Sequence, residues 1–270
     1  MKLYGSEQSP FVARIWIACE AKGIEVDNLG PPAAGLKSPE YLAINPVGKV
    51  PALIDDDTPI IESETILDYI EDCHPAPPLR PATPLERARM RTTMRIMDTY
   101  VMVPVSRLFA HLDPATSDKR VIEDEHRRWQ QGLAWLAPFV PDAPQVVGDT
   151  LTLADCVLPP SLMLSRIISD MLGLDDPIGA HPTLLGYRDK VRNHAPVDHA
   201  LARIEAAMAR RRASTSELET GADVAGRADD YVDSYQATAG IGRDPPSSPA
   251  GYIDDPISVL FAGREAGPPA

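Results

Sequence analysis

Apolar positions in the first 78 residues alternate between short runs and helical spacing. Leu3-Tyr4 forms a short strand-like run, and four apolar residues then recur at i, i+3, i+4 and i+7: Val12, Ile15, Trp16 and Cys19. This spacing predicts an amphipathic helix. Ser9-Pro10 supplies the N-cap and the first-turn proline that begin such a helix, and Gly23 follows its end.

The apolar runs between residues 25 and 70 are short and separated by turn residues. They predict a strand near 25–29, a short helix after Ser38, a hairpin of strands at 51–54 and 59–61, and a helix that begins at Ser63. Strands and helices therefore alternate along residues 1–78, which predicts an α/β N-terminal domain.

Helical spacing replaces this alternation after a proline-rich stretch at 75–84. The stretch is typical of a stiff linker, and we place the linker at 79–84. Helices are predicted at about 85–111, 118–136, from 151, from 182 and at 199–212. Thr152 and Asp155 form a capping pair, and Pro159-Pro160 should kink the helix that follows. Residues 85–212 are thus predicted to form an all-α C-terminal domain.

The last segment, 213–270, differs in composition. It holds ten acidic residues against three arginines, which is −7 of the net charge of −13, and it is rich in Gly and Pro. This composition predicts a disordered tail. The alternative is partial docking on the folded body through Tyr231, Tyr235, Tyr252 and the apolar run 257–261.

Composition and charge exclude several classes of function. A net charge of −13 argues against nucleic acid and anionic membranes as partners. No apolar run approaches the roughly 18–20 residues of a membrane span, and no signal-peptide core follows Met1. Three scattered cysteines predict no disulfide framework, so a reducing cytoplasm is expected. The six histidines lack metal-ligand spacing, so no metal site is expected, and no phosphate-binding or dinucleotide motif is present.

The segment 45–53, with Glu62-Ser63 shortly after it, carries the clearest binding signal. Val50-Pro51 can take the cis form at low cost, which would aim the Val50 N–H and C=O at an extended peptide-like ligand. Glu62-Ser63 would lie at a helix start, beside unpaired N–H groups and the positive end of the dipole. Such a site suits a small zwitterionic peptide.

Ser9 is the strongest candidate for chemistry. A hydroxyl at a helix N-cap can donate to a thiolate, and the helix dipole also stabilises that charge. Helix N-termini lower a thiol pKa from its ordinary value of about 8.5, which would activate a bound thiol as a nucleophile. The alternative is that Ser9 is only a cap.

Ser9-Pro10-Phe11-Val12-Ala13-Arg14, followed by Ala21-Lys22-Gly23, resembles the first-helix pattern of the cytosolic glutathione transferases, and the resemblance extends over about residues 1–205. Omega members of that superfamily carry Cys-Pro-Phe there, and zeta members carry Ser. The resemblance implies a thioredoxin-like N-terminal domain, a helical C-terminal domain and Ser9 beside the glutathione sulfur. It also implies a set of glutathione-binding residues: Phe11, Lys37, Val50, Pro51, Glu62 and Ser63.

The long helix at 85–111 carries the other expectations. The segment 78–84, Arg87–Arg91 and Asp98–Tyr100 resemble the bacterial β-etherase branch. The resemblance to the family implies a second-substrate pocket near Tyr100, Val103 and Arg107, although core or interface packing also explains each of them. The arginine-rich first half of this helix is either a solvated surface or a subunit interface. The interface is what the resemblance to the family implies, and it would make the protein a homodimer.

These observations predict a serine-type glutathione transferase. Glutathione, its cosubstrate, would attack an electrophilic apolar or aromatic compound, as in detoxification or aromatic metabolism. The alternatives are β-aryl ether cleavage or dehalogenation, glutathione-assisted isomerisation and non-catalytic glutathione binding. A serine at position 9 disfavours disulfide exchange, because that reaction needs a protein thiol.

Overall fold

The computed structural model describes residues 1–113 and 117–219, with side chains described up to 210. Four short strands form one sheet: β1 (Lys2–Tyr4), β2 (Asp27–Gly30), β3 (Ala52–Asp55) and β4 (Thr58–Ile61). Their order is β2-β1-β3-β4. β1 pairs in parallel with β2 and antiparallel with β3, and β3–β4 is an antiparallel hairpin. The predicted hairpin is confirmed, and the second strand begins two residues later than expected.

Three helices flank the sheet: α1 (Pro10–Ala21), α2 (Pro39–Ile44) and α3 (Ser63–Cys73). The predicted caps of the first two are confirmed. Ser9 Oγ accepts from the Val12 N–H at 3.4 Å, and Ser38 Oγ accepts from the Tyr41 N–H at 3.2 Å. The observed order of strands and helices is the predicted thioredoxin-like one.

The rest of the described chain contains no further strand. Its α-helices are α4 (Pro84–Ile96), α5 (Met102–Leu108), α6 (Lys119–Leu136), α7 (Leu153–Leu172), α8 (Pro182–Lys190) and α9 (Ala195–Glu219). Thr152 and Asp155 form the predicted capping box of α7. The fold is therefore a thioredoxin-like part followed by a helical part, as predicted.

The prediction of a single long helix over 85–111 is wrong, because the structure divides this range into several helical segments. A π-helical segment, Met97–Val101, separates α4 from α5, and a 3₁₀ turn, Phe109–His111, ends the run. Pro104 lies in the first turn of α5 and has no N–H to donate to the Tyr100 carbonyl. A π turn interrupts a helix without ending it, so the chain keeps its direction while its register changes.

The final helix is longer than predicted. Helical periodicity was expected to end near 212, but the α9 backbone remains helical to Glu219. Once a helix is nucleated, further residues join it at little cost. This explains why α9 continues from 212 to 219 although the sequence there shows no helical periodicity. The rest of the predicted tail, 220–270, lies outside the described residues.

Helix α1 forms the centre of the molecule. It contacts α3 of the thioredoxin-like part and also α7 and α9 of the helical part. Its residues from Val12 to Ala18 are almost all completely buried, including the charged Arg14. Because one helix contributes to both halves, their position relative to each other is set by its packing. No helix in the described ranges is long and apolar enough to cross a membrane.

Candidate functional site

A cleft of about 480 Å³ lies between the thioredoxin-like part and the α4–α5 region. We call it the Ser63 cleft. Six of the residues predicted from the sequence line it: Phe11, Val50, Pro51, Glu62, Ser63 and Val103. The structure therefore brings together four segments of the chain that are far apart in sequence.

The turn before Pro51 is held rigidly in the wall of this cleft. The Val50-Pro51 peptide bond is cis, as predicted. The Lys49 carbonyl accepts from the Tyr41 hydroxyl at 2.6 Å and from the Asn45 side-chain amide at 2.7 Å. Among the described residues, neither the N–H nor the C=O of Val50 has a hydrogen-bond partner. A backbone donor and acceptor are thus available on the cleft wall.

Glu62 and Ser63 begin α3 at the other side of the cleft. Glu62 is the N-cap and has a φ of +68°, a conformation that is costly for a residue with a side chain. Ser63, the first residue of the helix, is only 7% exposed. The unpaired N–H groups of the first helical turn therefore meet the cleft at these two residues.

Arg14 lies beneath the cleft and is completely buried. Its guanidinium donates to Ser63 Oγ at 3.2 Å and to both Asp98 carboxylate oxygens at 2.8 and 2.6 Å. It also donates to Ser161 Oγ at 2.9 Å and lies 4.5 Å from the centroid of the Phe11 ring. One cation thereby positions two residues of the cleft wall, which the sequence analysis did not foresee.

Glu64 adds a third carboxyl to the cleft, beside Glu62 and Asp98. Burial raises the pKa of Glu64, and the Asp98 carboxylate raises it further, while Arg14 and Arg95 oppose the shift. One oxygen of Glu64 is buried and has no hydrogen-bond partner. The cleft therefore offers carboxyl acceptors for an ammonium group, and Lys49 and Arg95 in the same lining offer donors for a carboxylate.

Ser9 does not line the Ser63 cleft. It is 2% exposed and lies between Phe11, which lines that cleft, and Gln8, which lines a second pocket of about 810 Å³. We call the second one the α9 pocket; its walls are Gly5–Gln8, Trp16, Asn28, Gly30, Pro31, Arg203, Ala207 and Arg210. The Ser9 N–H donates to the Ser6 carbonyl at 3.0 Å. Ser9 is thus buried at the start of α1 and lines neither of the two pockets.

Besides Ser9, three further residues predicted for the site lie outside the Ser63 cleft. Lys37 Nζ donates to the Val47 carbonyl at 3.0 Å. Tyr100 packs edge to face on Trp135 at 5.1 Å between ring centroids, and both rings are about half exposed. Arg107 pairs with Glu125 at 3.0 Å. Tyr100 and Arg107 therefore face away from the cleft that Val103 lines.

The thiols offer no alternative nucleophile in the cleft. Cys19 and Cys156 are buried, and burial raises the pKa of Cys19 to about 12. Cys73 is exposed at the end of α3. Over the described ranges, no group of three or more His, Cys, Asp or Glu side chains is arranged to hold a metal ion.

Comparison with known proteins agrees with this architecture. Residues 3–78 match the family described as glutathione S-transferase, N-terminal domain. A glutathione S-transferase of Pseudomonas putida is 30% identical over 169 residues, which are 62% of this chain and 76% of that protein. The chain belongs to the glutathione S-transferase family.

Two other members of this glutathione S-transferase family are informative. The maleylacetoacetate isomerase of Pseudomonas aeruginosa is 31% identical over 179 residues, which are 60% of this chain and 80% of that protein. The crystal structure of a maleylacetoacetate isomerase from Methylobacterium extorquens AM1, with bound malonate and GSH, superposes with a TM-score of 0.61 at 29% identity. That match covers 74% of this chain and 95% of the other.

Proposed function

We propose that this protein binds glutathione in the Ser63 cleft and uses Ser9 to stabilise the glutathione thiolate. The observation that carries the proposal is the free backbone N–H and C=O of Val50, opposite the start of α3. A peptide ligand that pairs with Val50 as an added strand would place one end at α3. Glutathione is such a peptide, and the chain's relatives belong to a glutathione-dependent family.

The γ-glutamyl end of glutathione carries both charges that the start of α3 can bind. Its carboxylate would accept from Ser63 and from the N–H groups of the first turn, where the helix dipole is positive. Its ammonium would pair with Glu62, and Glu64 and Asp98 lie in the same cleft. The cysteinyl part would then pair with Val50, between α3 and the Ser9 segment.

Ser9 is suited to hold a thiolate because its oxygen is already engaged as an acceptor. The Ser9 Oγ accepts from the Val12 N–H, so its own hydrogen is available for donation to a bound sulfur. The sulfur would then attack an electrophilic carbon of an apolar or aromatic substrate. A carbon–sulfur bond forms, and the leaving group departs with the bonding pair.

Replacement of Ser9 by alanine tests this role. The thiol pKa of bound glutathione, followed by ultraviolet absorption, should rise in Ser9→Ala, and turnover should fall about 10- to 150-fold for the loss of a hydrogen bond to a charged group. Ser38→Ala is the matched control, since it removes an equivalent cap at α2. If wild type does not bind glutathione in calorimetry, the proposed function is wrong. An unchanged thiol pKa in Ser9→Ala would exclude Ser9 from thiolate stabilisation and leave the proposal of glutathione binding in place.

Glutathione-assisted isomerisation is the second candidate. It is favoured by the match to a maleylacetoacetate isomerase, of which the chain covers 80%. In that reaction the thiolate adds to a cis double bond and leaves after rotation, so no atom of glutathione is retained. Chromatography of a maleyl-type cis acid, incubated with enzyme and glutathione, separates a trans product from a glutathione conjugate.

A homodimer is also proposed, in the reducing cytoplasm where glutathione is plentiful. The surface that supports it contains the half-exposed Tyr100–Trp135 pair, which does not line the Ser63 cleft. Exposed aromatic rings are typical of a protein interface. Sedimentation equilibrium should give twice the chain mass, and Trp135→Glu should shift it to the monomer.

A further inference from the structure

Arg14 is a completely buried charge beside the Ser63 cleft, and the proposed function gives it no role. Its ionic partner is Asp98, whose carboxylate lies 2.6 Å from the guanidinium. Moving a guanidinium out of water is costly, and a buried ion pair commonly adds little stability compared with apolar side chains of the same volume. The burial of this charge is therefore better explained by what it positions than by what it stabilises.

The four N–H groups on the two terminal nitrogens of Arg14 all have acceptors. Nη1 donates to Ser63 Oγ at 3.2 Å and to Asp98 Oδ2 at 2.8 Å. Nη2 donates to Asp98 Oδ1 at 2.6 Å and to Ser161 Oγ at 2.9 Å. The fifth donor, Nε, is buried and has no partner among the described residues. The guanidinium is therefore fixed by acceptors from three segments of the chain.

Two of these three acceptors belong to the helical part. Ser161 lies in the middle of α7, and Asp98 lies in the π-helical segment, a kind of turn that is frequent at functional sites. Ser63, the third acceptor, is the first residue of α3 in the thioredoxin-like part. Arg14 thus joins the start of α3, where the proposed ligand binds, to two elements of the helical part.

The contact with Arg14 determines what Ser63 can offer a ligand. The Ser63 Oγ accepts from Arg14, and its own hydrogen has no acceptor in the described ranges. Ser63 is 7% exposed, and the side that remains open is the cleft it lines. A hydroxyl that accepts from a cation is polarised, which strengthens the hydrogen bond that it donates. Arg14 therefore prepares Ser63 as a donor to an anion.

We propose that Arg14 is a positioning residue, which sets the affinity for the γ-glutamyl carboxylate through Ser63 and is itself held in place by Asp98 and Ser161. This role rests on the proposed function, because it concerns the same ligand. Ser161 does not line the Ser63 cleft. Its hydroxyl can influence the ligand through Arg14 or through the packing of α7, and a matched serine separates these two routes.

Ser165 is that matched serine. Ser161 and Ser165 are both completely buried in α7. Each hydroxyl donates to the carbonyl four residues earlier, at 2.8 and 2.9 Å. Only Ser161 also accepts from Arg14. The two alanine variants therefore lose the same atom and the same kind of backbone hydrogen bond, and they differ in the contact with Arg14.

Calorimetry with S-methylglutathione measures the affinity without a thiol that can ionise. Ser161→Ala should raise the Kd about 3- to 10-fold, the equivalent of one ordinary hydrogen bond, while Ser165→Ala should keep the wild-type Kd. The 4-aminobutyryl analogue of this ligand lacks the γ-glutamyl carboxylate and keeps the ammonium. Its Kd should be the same in all three proteins, because it has no carboxylate to accept from Ser63. A general loosening of the cleft would weaken both ligands.

Arg14→Lys tests the guanidinium itself. Lysine keeps the positive charge but has no planar fork, so it cannot hold Ser63, Asp98 and Ser161 in one arrangement. The KM for glutathione should rise more than in Ser161→Ala, with kcat at saturating glutathione changed less than about twofold. If Arg14→Lys does not fold, the comparison of Ser161→Ala with Ser165→Ala still decides.

The outcomes distinguish this role of Arg14 from the proposed function. If wild type binds S-methylglutathione and Ser161→Ala has the same Kd, Arg14 has no positioning role and the proposed function stands. The same conclusion follows if Ser165→Ala weakens binding equally, or if the Kd of the 4-aminobutyryl analogue rises in parallel. If wild type does not bind S-methylglutathione, both proposals are wrong.

Discussion

Lys22 and Glu71 form a buried ion pair, with 2.6 Å between Lys22 Nζ and Glu71 Oε2 and with side chains 0% and 6% exposed. Lys22 Nζ also donates to the carbonyls of His74 and Pro77, at 2.7 and 2.8 Å. Glu71 accepts from the Leu79 N–H with both oxygens, at 3.1 Å. The two charges therefore tie the proline-rich segment after α3 to the end of α1.

Removal of one charge of this pair should be strongly destabilising. Lys22→Met leaves the Glu71 carboxylate buried without its cation, at a cost of about 3–5 kcal/mol in the free energy of unfolding. Urea denaturation measures the loss. Lys190→Met, which removes a half-exposed partner of Asp142, should cost no more than about 1 kcal/mol. If the two variants lost the same free energy of unfolding, burial of the Lys22–Glu71 pair would not be the cause of the destabilisation.

Glu62 should contribute to glutathione affinity rather than to the chemical step. Glu62→Ala removes the proposed partner of the ammonium group, so the Kd in calorimetry should rise about 10- to 150-fold. At saturating glutathione, kcat should change little, because the loss is one of uniform binding. Glu123→Ala, at an exposed position of α6, is the control. A wild-type Kd in Glu62→Ala would contradict this assignment.

The stability contributed by Glu64 should depend on pH in a defined direction. Its pKa is raised on folding, mainly by burial and then by Asp98, so its contribution is complete below the ordinary value of 4.5 and is lost as pH rises through the folded pKa. Glutamine resembles the neutral form at every pH. The free energy of unfolding of Glu64→Gln, relative to wild type, should therefore increase between about pH 4 and pH 7. A constant or decreasing difference contradicts the direction of the shift.

Gly132 allows a close approach of α6 to the π-helical segment. A Cβ added at Gly132 would lie 2.2 Å from the Tyr100 carbonyl oxygen, which is a backbone atom and cannot move by rotation of a side chain. Gly132→Ala should therefore destabilise the protein by about 1–3 kcal/mol, measured as a lower melting temperature. Gly179→Ala is the matched control, because no atom lies within 4 Å of its added Cβ. Equal melting temperatures for the two variants would mean that the segment adapts at no cost.

Sequence reasoning succeeded where the determinant is local. The Ser9 and Ser38 caps, the Thr152–Asp155 capping box and the start of α3 at Ser63 all depend on residues within one helical turn. Caps of this kind can be predicted from the types of a few neighbouring residues. The Val50-Pro51 and Glu62-Ser63 segments of the Ser63 cleft could likewise be predicted from local residue types, whereas Phe11 and Val103 followed only from the resemblance to the family.

The features that were missed depend on distant contacts. Arg14 finds its partners Ser63, Asp98 and Ser161 between 49 and 147 residues away, and no spacing rule joins such positions. The π-helical segment lies just before Pro104, which removes one hydrogen bond of the helix. This determinant is local, but the apolar spacing by itself predicts a continuous helix.

The proposed contacts to glutathione all lie in one half of the molecule, which has a consequence for how such an enzyme changes during evolution. On the proposed assignment, glutathione is held by the start of α1, the turn before β3 and the start of α3, all in the thioredoxin-like part. Substitutions in the helical part, away from the Asp98 and Ser161 that hold Arg14, can then alter the preference for the second substrate without weakening the binding of the cosubstrate. One half of the molecule is thereby free to diversify while the other half keeps its ligand.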